Sequence, residues 1–270
     1  MSIFKVNDID TILVNYLDID SLRNLYQTDT YYRNLIRPSL DSFIKFFSEK
    51  VRKMPHNEQF IESIKCGDIE IVKYLQKSYT LCNCAPFNLA CINGHLNIAK
   101  LLHPDKFCCS RISNFIFRET CDNGHLDVAK WLYNSVTNVA LYCNFSSCCQ
   151  QCNNINMIKW LDTILSNKDY VIAFQSSCFS DKLETAQYLY SQNMHLLFAR
   201  LNNVFVETCA NNSLHVAKWL HSLGVNIRHN NDNAFRLSCY ENATDVIHWL
   251  CSIEPRYSVE RIINYRATIN

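Results

Sequence analysis

A motif of about 30 residues that recurs seven times constrains the fold of this chain more than any other sequence feature. Each copy begins at a phenylalanine, an apolar residue follows four positions later, and a residue pair ending in leucine comes near the end. The first column is Phe60, Phe87, Phe117, Phe145, Phe174, Phe205 and Phe235; the second is Ile64, Cys91, Cys121, Cys149, Cys178, Cys209 and Cys239; the third is Tyr74-Leu75, Leu101-Leu102, Trp131-Leu132, Trp160-Leu161, Tyr188-Leu189, Trp219-Leu220 and Trp249-Leu250. Three columns in step over seven copies indicate a repeat protein.

The apolar residues inside one copy predict two short helices. Phe117 and Cys121 lie four residues apart and share one helical face, and Leu126, Ala129 and Leu132 form a second face. Between them stands Gly124, which can adopt the positive φ that ends a helix. We therefore predict helix, tight turn, helix and a polar connection in each copy. A pair of this size cannot bury its own apolar side, so neighbouring pairs should stack around a continuous core.

The fifteen cysteines first suggest disulfides or zinc, but the repeat argues against both. Equivalent helices in adjacent copies should lie roughly 8 to 10 Å apart, beyond the Cα separation of about 4.4 to 6.8 Å that a disulfide tolerates. The remaining zinc candidates are Cys82, Cys84 and Cys91, or Cys143, Cys148, Cys149 and Cys152; neither group has the two Cys-x-x-Cys pairs of a zinc finger or ribbon. We therefore expect reduced core thiols, no metal and no cofactor, in the cytosol or nucleus.

Charge and hydropathy exclude several classes of partner. The formal net charge of +1 gives no electrostatic reason to expect nucleic acid or an anionic membrane surface. No stretch approaches the roughly 18 apolar residues of a membrane span, and the first ten residues do not form a signal peptide. The lysines just before the third column alternate with acidic residues and predict a solvated face. We expect a soluble monomer.

A separate small helical module precedes the repeats. Apolar residues at helical spacing predict a first helix that includes Leu13 and Leu17, a second that includes Leu22 and Leu25, and a third that includes Tyr32. Pro38 ends this module at residue 38. A connecting segment, 39–56, holds one further helix, and its apolar side should cover the open end of the first repeat.

The module resembles the F-box. The segment from Ile12 to Leu25, followed by Thr28 and an aromatic-Arg-x-Leu close, matches that family's pattern, although Val6-Asn7 stands where the family usually opens with Leu-Pro. The resemblance implies that the module binds a Skp1-type subunit of a cullin-RING ubiquitin ligase. The residues that would make this contact are Leu13, Leu17, Leu22, Leu25 and Tyr32.

The repeats resemble ankyrin repeats. The run from Ala90 to Leu102 is close to that family's helix pair, and Ala85-Pro86-Phe87 echoes its Thr-Pro-Leu-His start. The sequence around Leu223-Gly224-Val225-Asn226 resembles that of ankyrin proteins encoded by giant DNA viruses of amoebae. The implied fold is all-α: an ankyrin-type helix-pair solenoid of about seven degenerate repeats, preceded by a three-helix F-box-like bundle. The repeats would span 57–253, at about 60–86, 87–116, 117–144, 145–173, 174–204, 205–234 and 235–253, with a capping segment at 254–270.

Together the two resemblances imply a non-enzymatic adaptor in the host cytoplasm. The F-box-like module would bind the ligase, and the repeats would hold the protein to be ubiquitinated. The alternative is a plain ankyrin binding protein whose N-terminal helices only cap the stack. The four glycines all lie near helix boundaries, so the chain has no Gly-rich phosphate loop. His95 and His125 occupy the same repeat position, which indicates a local hydrogen-bonding role rather than a general base.

The target-binding residues should lie where the copies differ. In an ankyrin stack the first helices end on the concave side, and those positions hold Ile92-Asn93, Asp122-Asn123, Gln150-Gln151, Phe179-Ser180, Ala210-Asn211 and Tyr240-Glu241. Our candidates are Ile92, Asp122, Gln150, Phe179, Tyr240 and Glu241. Phe179 and Tyr240 are the best anchors, because exposed aromatic residues carry much of the energy of protein binding. In the alternative interpretation, these two side chains pack on neighbouring repeats.

Overall fold

A computed structural model describes residues 54–77, 79, 84–103, 110–135 and 143–257, with the side chains of 110–114 excepted. The described residues are all-helical and contain no β-strand, which confirms the all-α prediction. None of their helices combines the length and apolar character needed to cross a membrane. The chain divides into two compact units, Met1–Cys108 and Cys109–Asn270. The F-box-like segment 1–38, nearly all of the connecting segment and residues 258–270 lie outside the described part.

The helices follow one another with short connections. In the first unit they are α1 (His56–Cys66), α2 (Ile69–Gln76), α3 (Cys84–Ile92) and α4 (Leu96–Leu102). In the second unit they are α5 (Ser110–Asp122), α6 (Leu126–Ser135), α7 (Phe145–Gln151), α8 (Ile155–Ile164), α9 (Tyr170–Phe179), α10 (Leu183–Leu197), α11 (Leu201–Ala210), α12 (Leu214–Ser222), α13 (His229–Tyr240) and α14 (Thr244–Ile253).

Within each unit the helices pack as a row of antiparallel pairs. The first helix of a pair contacts the first helix of the next, as in α7 with α9 and α11 with α13. The second helices do the same, as in α8 with α10 and α12 with α14. Each pair thus buries its apolar side against its neighbours, as the repeat pattern predicts.

The three sequence columns form the interior of these rows. All seven phenylalanines of the first column are at most 2% exposed, and every residue of the second column is 0% exposed. The column cysteines therefore act as small core hydrophobes, which confirms the prediction of their burial. The leucines of the third column are also buried.

The aromatic half of the third column packs between repeats while staying partly exposed. Trp160 meets Phe117 of the preceding repeat edge-on at 6.2 Å between ring centroids, and Trp219 meets Phe174 in the same way at 6.3 Å. Edge-to-face contacts at these distances are favourable. The prediction that this column belongs to the core between repeats therefore holds for one side of each of these rings, while the other side reaches the surface.

The turn inside every described pair except the fourth uses a residue in the left-handed conformation. Gly124 has φ of 79°, as predicted, and Gly67 and Gly94 do the same in the first unit. Glycine is required at residue 67 because a Cβ there would lie 2.5 Å from the ring of His95. The His95 Nε2 atom lies 3.2 Å from the carbonyl oxygen of Lys65, which confirms a local hydrogen-bonding role for this histidine.

Later repeats replace the glycine with Asp181, Asn212 and Asn242, with φ between 54° and 57°. Asn and Asp tolerate this conformation better than other non-glycine residues, and their side chains gain a second role. Asp181 Oδ1 accepts a hydrogen bond from the backbone nitrogen of Val216 at 3.0 Å, so it caps α12 of the next pair. Asn212 Oδ1 caps α14 of the next pair through the backbone nitrogens of Asp245 at 3.1 Å and Val246 at 3.2 Å.

Among the connections between pairs that the structure describes, the one after the fifth pair departs from the predicted polar loop. The fifth pair continues through α10 into a 3-10 turn at Phe198–Arg200 and directly into α11. No glycine or proline interrupts this segment, and only Asn193, with φ of −131°, breaks its helical geometry. The connection carries three exposed apolar side chains, Met194, Leu196 and Phe198.

A half-buried carboxylate joins the fourth and fifth pairs. Asp162 of α8 accepts hydrogen bonds from Lys168 Nζ at 2.8 Å, Tyr170 Oη at 2.8 Å and Tyr188 Oη at 2.7 Å. Burial raises the pKa of Asp162, but these donors outweigh burial and hold the pKa below its usual value. The charged form is therefore favoured at neutral pH.

Tyr257 covers the interior beyond the last described pair. Its ring stacks on Phe235, with centroids 4.1 Å apart and planes 3° from parallel, and its hydroxyl donates to Asp232 Oδ1 at 3.0 Å. It thus contacts the anchor phenylalanine of the last repeat face to face, whereas Trp219 meets Phe174 edge-on. The capping role of segment 254–270 as a whole stays a prediction.

Candidate functional site

A polar cleft lies where the third and fourth pairs of the sequence meet in the second unit. It has a volume of about 460 Å³ and lies between the ends of α5 and α7. Its lining is Asp122, Asn123, Gly124, Gln151, Asn153, Asn154 and Ile155. A second depression shares three of these residues and adds Arg118, Glu119 and Ser147. Together they form one groove, called the polar cleft below.

The cleft exists because the fourth repeat is irregular. Its first helix, α7, stops at Gln151, and the chain continues in extended conformation at Cys152 (φ −72°, ψ 132°) rather than in a left-handed turn. Asn154 then holds the connection in place: its Nδ2 donates to the carbonyl oxygen of Gly124 at 2.9 Å, and its Oδ1 accepts from the backbone nitrogen of Asn156 at 3.0 Å. A side chain at residue 124 would be strained, since its φ is 79° and a Cβ would lie 3.1 Å from that of Asn154.

Asp122 is the most distinctive group of the cleft. Its Oδ1 is buried and has no hydrogen-bond partner among the residues that the structure describes. Burial raises the pKa of this carboxyl group, and hydrogen bonding between the carboxyl group and the Cys148 thiol opposes this, so the unsatisfied atom is Oδ1 alone. Leaving a buried carboxylate oxygen unsatisfied costs free energy, and a donor from a bound partner would recover it. Arg118 and Glu119 beside it satisfy each other through an ion pair of 3.1 Å.

A cluster of thiols lies beside this carboxylate. The Sγ atoms of Cys143 and Cys148 are 3.6 Å apart, and hydrogen bonding to the Cys121 thiol lowers the pKa of Cys143. Cys121 and Cys148 are fully buried, while Cys143, in the connection before α7, is partly exposed. In the described ranges no group of three or more His, Cys, Asp or Glu side chains has the geometry to hold a metal ion.

The predicted target-binding residues are dispersed over the ends of the first helices. The structure places Asp122 inside the cleft, whereas Gln150 is exposed but outside the lining, which uses its neighbour Gln151 instead. Tyr240 is 52% exposed and adjoins the exposed Glu241.

The other two candidates are less open. Ile92 and Phe179 are half-buried, and the backbone carbonyl of Phe179 accepts a hydrogen bond from Ser213 Oγ at 2.9 Å. Of the two proposed aromatic anchors, Tyr240 is exposed and Phe179 is half-buried, and their roles in binding stay predictions. The candidates Leu13, Leu17, Leu22, Leu25 and Tyr32 lie outside the described residues.

Sequence reasoning missed six residues of the cleft lining: Arg118, Glu119, Ser147, Asn153, Asn154 and Ile155. It placed recognition only at the helix ends, although the fourth copy carries one inserted residue before its Trp160-Leu161 pair. The inserted residue before Trp160 was the available signal, because an insertion between two helices has to be accommodated in the turn. That turn is where Asn153 and Asn154 stand.

No protein-family model matches this sequence, and a comparison with curated proteins also finds no match.

Proposed function

We propose that this protein is a non-enzymatic interaction scaffold, built as an ankyrin-type solenoid, that holds a target protein on the ends of its first helices. Through its F-box-like residues it would link that target to a host Skp1-cullin-type ubiquitin ligase. The observation that carries the scaffold proposal is the unsatisfied Asp122 Oδ1 in the polar cleft. Asp122 stands at the end of a first helix, a position at which the repeats differ, whereas the core columns of the repeats stay the same.

Three features support an ankyrin-type stack. The pairs pack first helix to first helix and second to second. The turns within the pairs, except that of the fourth, have a residue in the left-handed conformation at equivalent positions, from Gly67 to Asn242. Hydrogen bonds join consecutive turns, such as Asn154 to Gly124 and Ser213 to Phe179. Such a scaffold leaves the variable helix ends available for recognition.

The chemistry of the cleft favours a partner rich in hydrogen-bond donors. Asp122 offers a buried acceptor, while Glu119 is already paired with Arg118. The Gln151 amide can donate and accept, and the Asn153 Nδ2 group can donate beside an Oδ1 atom that already accepts from Lys182 Nζ. Such groups suit the backbone of an extended peptide. A lysine, an arginine or a backbone amide of the target would satisfy Asp122.

The first experiment tests the cleft. The full-length protein, Asp122→Lys and the control Asp127→Lys would each be used for affinity purification from host cells, followed by quantitative mass spectrometry. Asp127 is exposed on α6 outside the cleft lining and takes the same charge change. A target should be lost with Asp122→Lys and kept with the control. Identical interactors for all three proteins would refute target binding at the cleft.

The second experiment tests the link to the ligase. Purified Skp1-type subunit should be retained by the full-length protein and lost on replacement of Leu17 and Leu22 with aspartate. Leu196→Asp is the control, because this leucine is 47% exposed in the connection after the fifth pair. If the intact protein retains no Skp1-type subunit, the adaptor proposal fails, and the alternative of a binding protein without a link to the ligase is favoured.

A further inference from the structure

The thiols beside the polar cleft have an arrangement that scaffolding does not require. The column position in the fourth repeat belongs to Cys149, so Cys148 is an additional thiol in the first turns of α7. Cys143 stands five residues earlier in the connection, and the two sulfurs are 3.6 Å apart. A disulfide has an S–S bond of about 2.05 Å. The pair therefore needs a movement of only about 1.5 Å to become bonded.

The two thiols differ in ionisation and access. Hydrogen bonds from Cys121 and Cys148 lower the pKa of Cys143, and the nearby Arg118 cation lowers it further, although burial opposes this. The hydrogen bond to Cys143, together with burial, raises the pKa of Cys148. Since the thiolate is the reactive form, Cys143 is the nucleophile of the pair. It is also the partly exposed member and can be reached by a small reagent.

We propose that Cys143 and Cys148 form an oxidation site, at which a peroxide converts the two neighbouring thiols into a disulfide beside the polar cleft. This goes beyond the proposed scaffold function and does not depend on it. Cys143 is the attacking thiol, and Cys148 is the resolving thiol.

The chemistry balances with hydrogen peroxide as the oxidant. The Cys143 thiolate attacks one peroxide oxygen, the O–O bond breaks, and Cys143 becomes a sulfenic acid as hydroxide leaves. The Cys148 sulfur then attacks the Cys143 sulfur; the S–O bond breaks, the thiol proton joins the departing oxygen, and water is released. One peroxide is reduced by two electrons, and two sulfurs are oxidised by one electron each.

Other cysteines of the chain serve as internal controls. Burial raises the pKa of Cys178 and of Cys209, and both side chains are fully inaccessible. Cys251 is partly exposed like Cys143, but burial raises its pKa too. Exposure alone therefore predicts similar oxidation at 143 and 251, whereas the proposal predicts oxidation at 143 and 148 only.

The test is differential alkylation of the full-length protein. The protein is treated with equimolar hydrogen peroxide and blocked with light iodoacetamide under native and then denaturing conditions. It is next reduced and labelled with heavy iodoacetamide, and the label is localised by fragment-ion mass spectrometry. Heavy label should appear at Cys143 and Cys148 at least tenfold above its level at Cys178, Cys209 and Cys251. Equal labelling at Cys143 and Cys251, or a bond from Cys143 to Cys121, would overturn the proposal.

Two variants separate the roles of the thiols. In Cys148→Ala, peroxide should leave Cys143 as a sulfenic acid that dimedone traps, and no disulfide should form. In Cys143→Ser, Cys148 should stay reduced under the same treatment. Oxidation of Cys148 in the absence of Cys143 would refute the assignment of the attacking thiol. The wild-type mapping stands without either variant, so a variant that fails to fold does not weaken the test.

Discussion

Asn212 provides the sharpest test of how the repeats are joined. This residue has a left-handed backbone with φ of 57°, and its Oδ1 accepts two backbone hydrogen bonds at the start of α14. Its Nδ2 also donates to Asp245 Oδ2 at 2.9 Å. Asn242 has the same φ, but its side chain makes no hydrogen bond within the part of the chain that the structure describes. The two asparagines therefore share a backbone conformation and differ in capping.

The magnitudes follow from these two roles. Losing a helix cap costs about 1 kcal/mol, and placing alanine in the left-handed region costs roughly 1 kcal/mol more. Asn212→Ala should therefore lower the free energy of unfolding by about 2 kcal/mol. Asn212→Gly removes the cap without straining the left-handed backbone. Asn242→Gly makes the same substitution at a residue that caps no described helix, so it serves as the control for the general effect of introducing glycine. The difference between these two glycine variants should isolate the cap, at about 1 kcal/mol.

Urea unfolding monitored by far-UV circular dichroism measures these differences. With a slope of about 2 to 3 kcal/mol per M, the midpoint of Asn212→Gly should lie about 0.3 to 0.5 M below that of Asn242→Gly. Tryptophan fluorescence should report the same order, because Trp249 lies on α14. Equal midpoints for the two glycine variants would refute the idea that Asn212 caps the following pair.

Three further predictions address the core, the half-buried carboxylate and the C-terminal cover. Phe174→Ala should destabilise the fold by about 3 to 5 kcal/mol, while the neighbouring exposed Ile172→Ala should stay within about 0.5 kcal/mol; urea unfolding compares them. Asp162→Asn should lower the free energy of unfolding by roughly 2 kcal/mol at pH 7. Because the folded pKa of Asp162 is lowered, its contribution is complete above the unfolded pKa of about 4 and is lost as the pH falls through the folded pKa. On acidification from pH 7 to pH 2, the variant should therefore lose less stability than the wild-type protein. Tyr257→Phe should remove one hydrogen bond and cost about 1 kcal/mol, whereas Tyr257→Ala also uncovers Phe235 and should cost at least twice as much, as thermal unfolding will show.

Much of the described fold was predictable because a repeat reports the same packing constraint several times. Every residue of the Phe and Cys columns is buried, and Gly124 ends its helix as expected. A single local pattern is ambiguous, but seven copies in step are not, since each position must satisfy the same neighbours. The columns thus predicted which residues form the interior.

The remaining features depend on differences between copies, which the columns average out. The left-handed Asp181 and Asn212 replace a glycine, and nothing in their own repeat shows that they cap the next one. The cleft around Asp122 arises from one irregular turn, and its residues come from two repeats. The helical connection at Phe198–Arg200 replaced a predicted polar loop because no helix-breaking residue stands there.

Asp181 and Asn212 each cap a helix of the following pair, so the stabilisation between pairs depends on their order along the chain. Each of these capping side chains belongs to one pair and accepts hydrogen bonds from the second helix of the pair that follows. Removing pairs from the carboxyl end would leave a capping side chain without its partner helix, and its polar atoms could then be hydrated at little cost in free energy. Trimming from the amino end would strip the next second helix of its cap. Shortened or permuted forms of this protein should therefore tolerate the loss of late copies better than the loss of early ones.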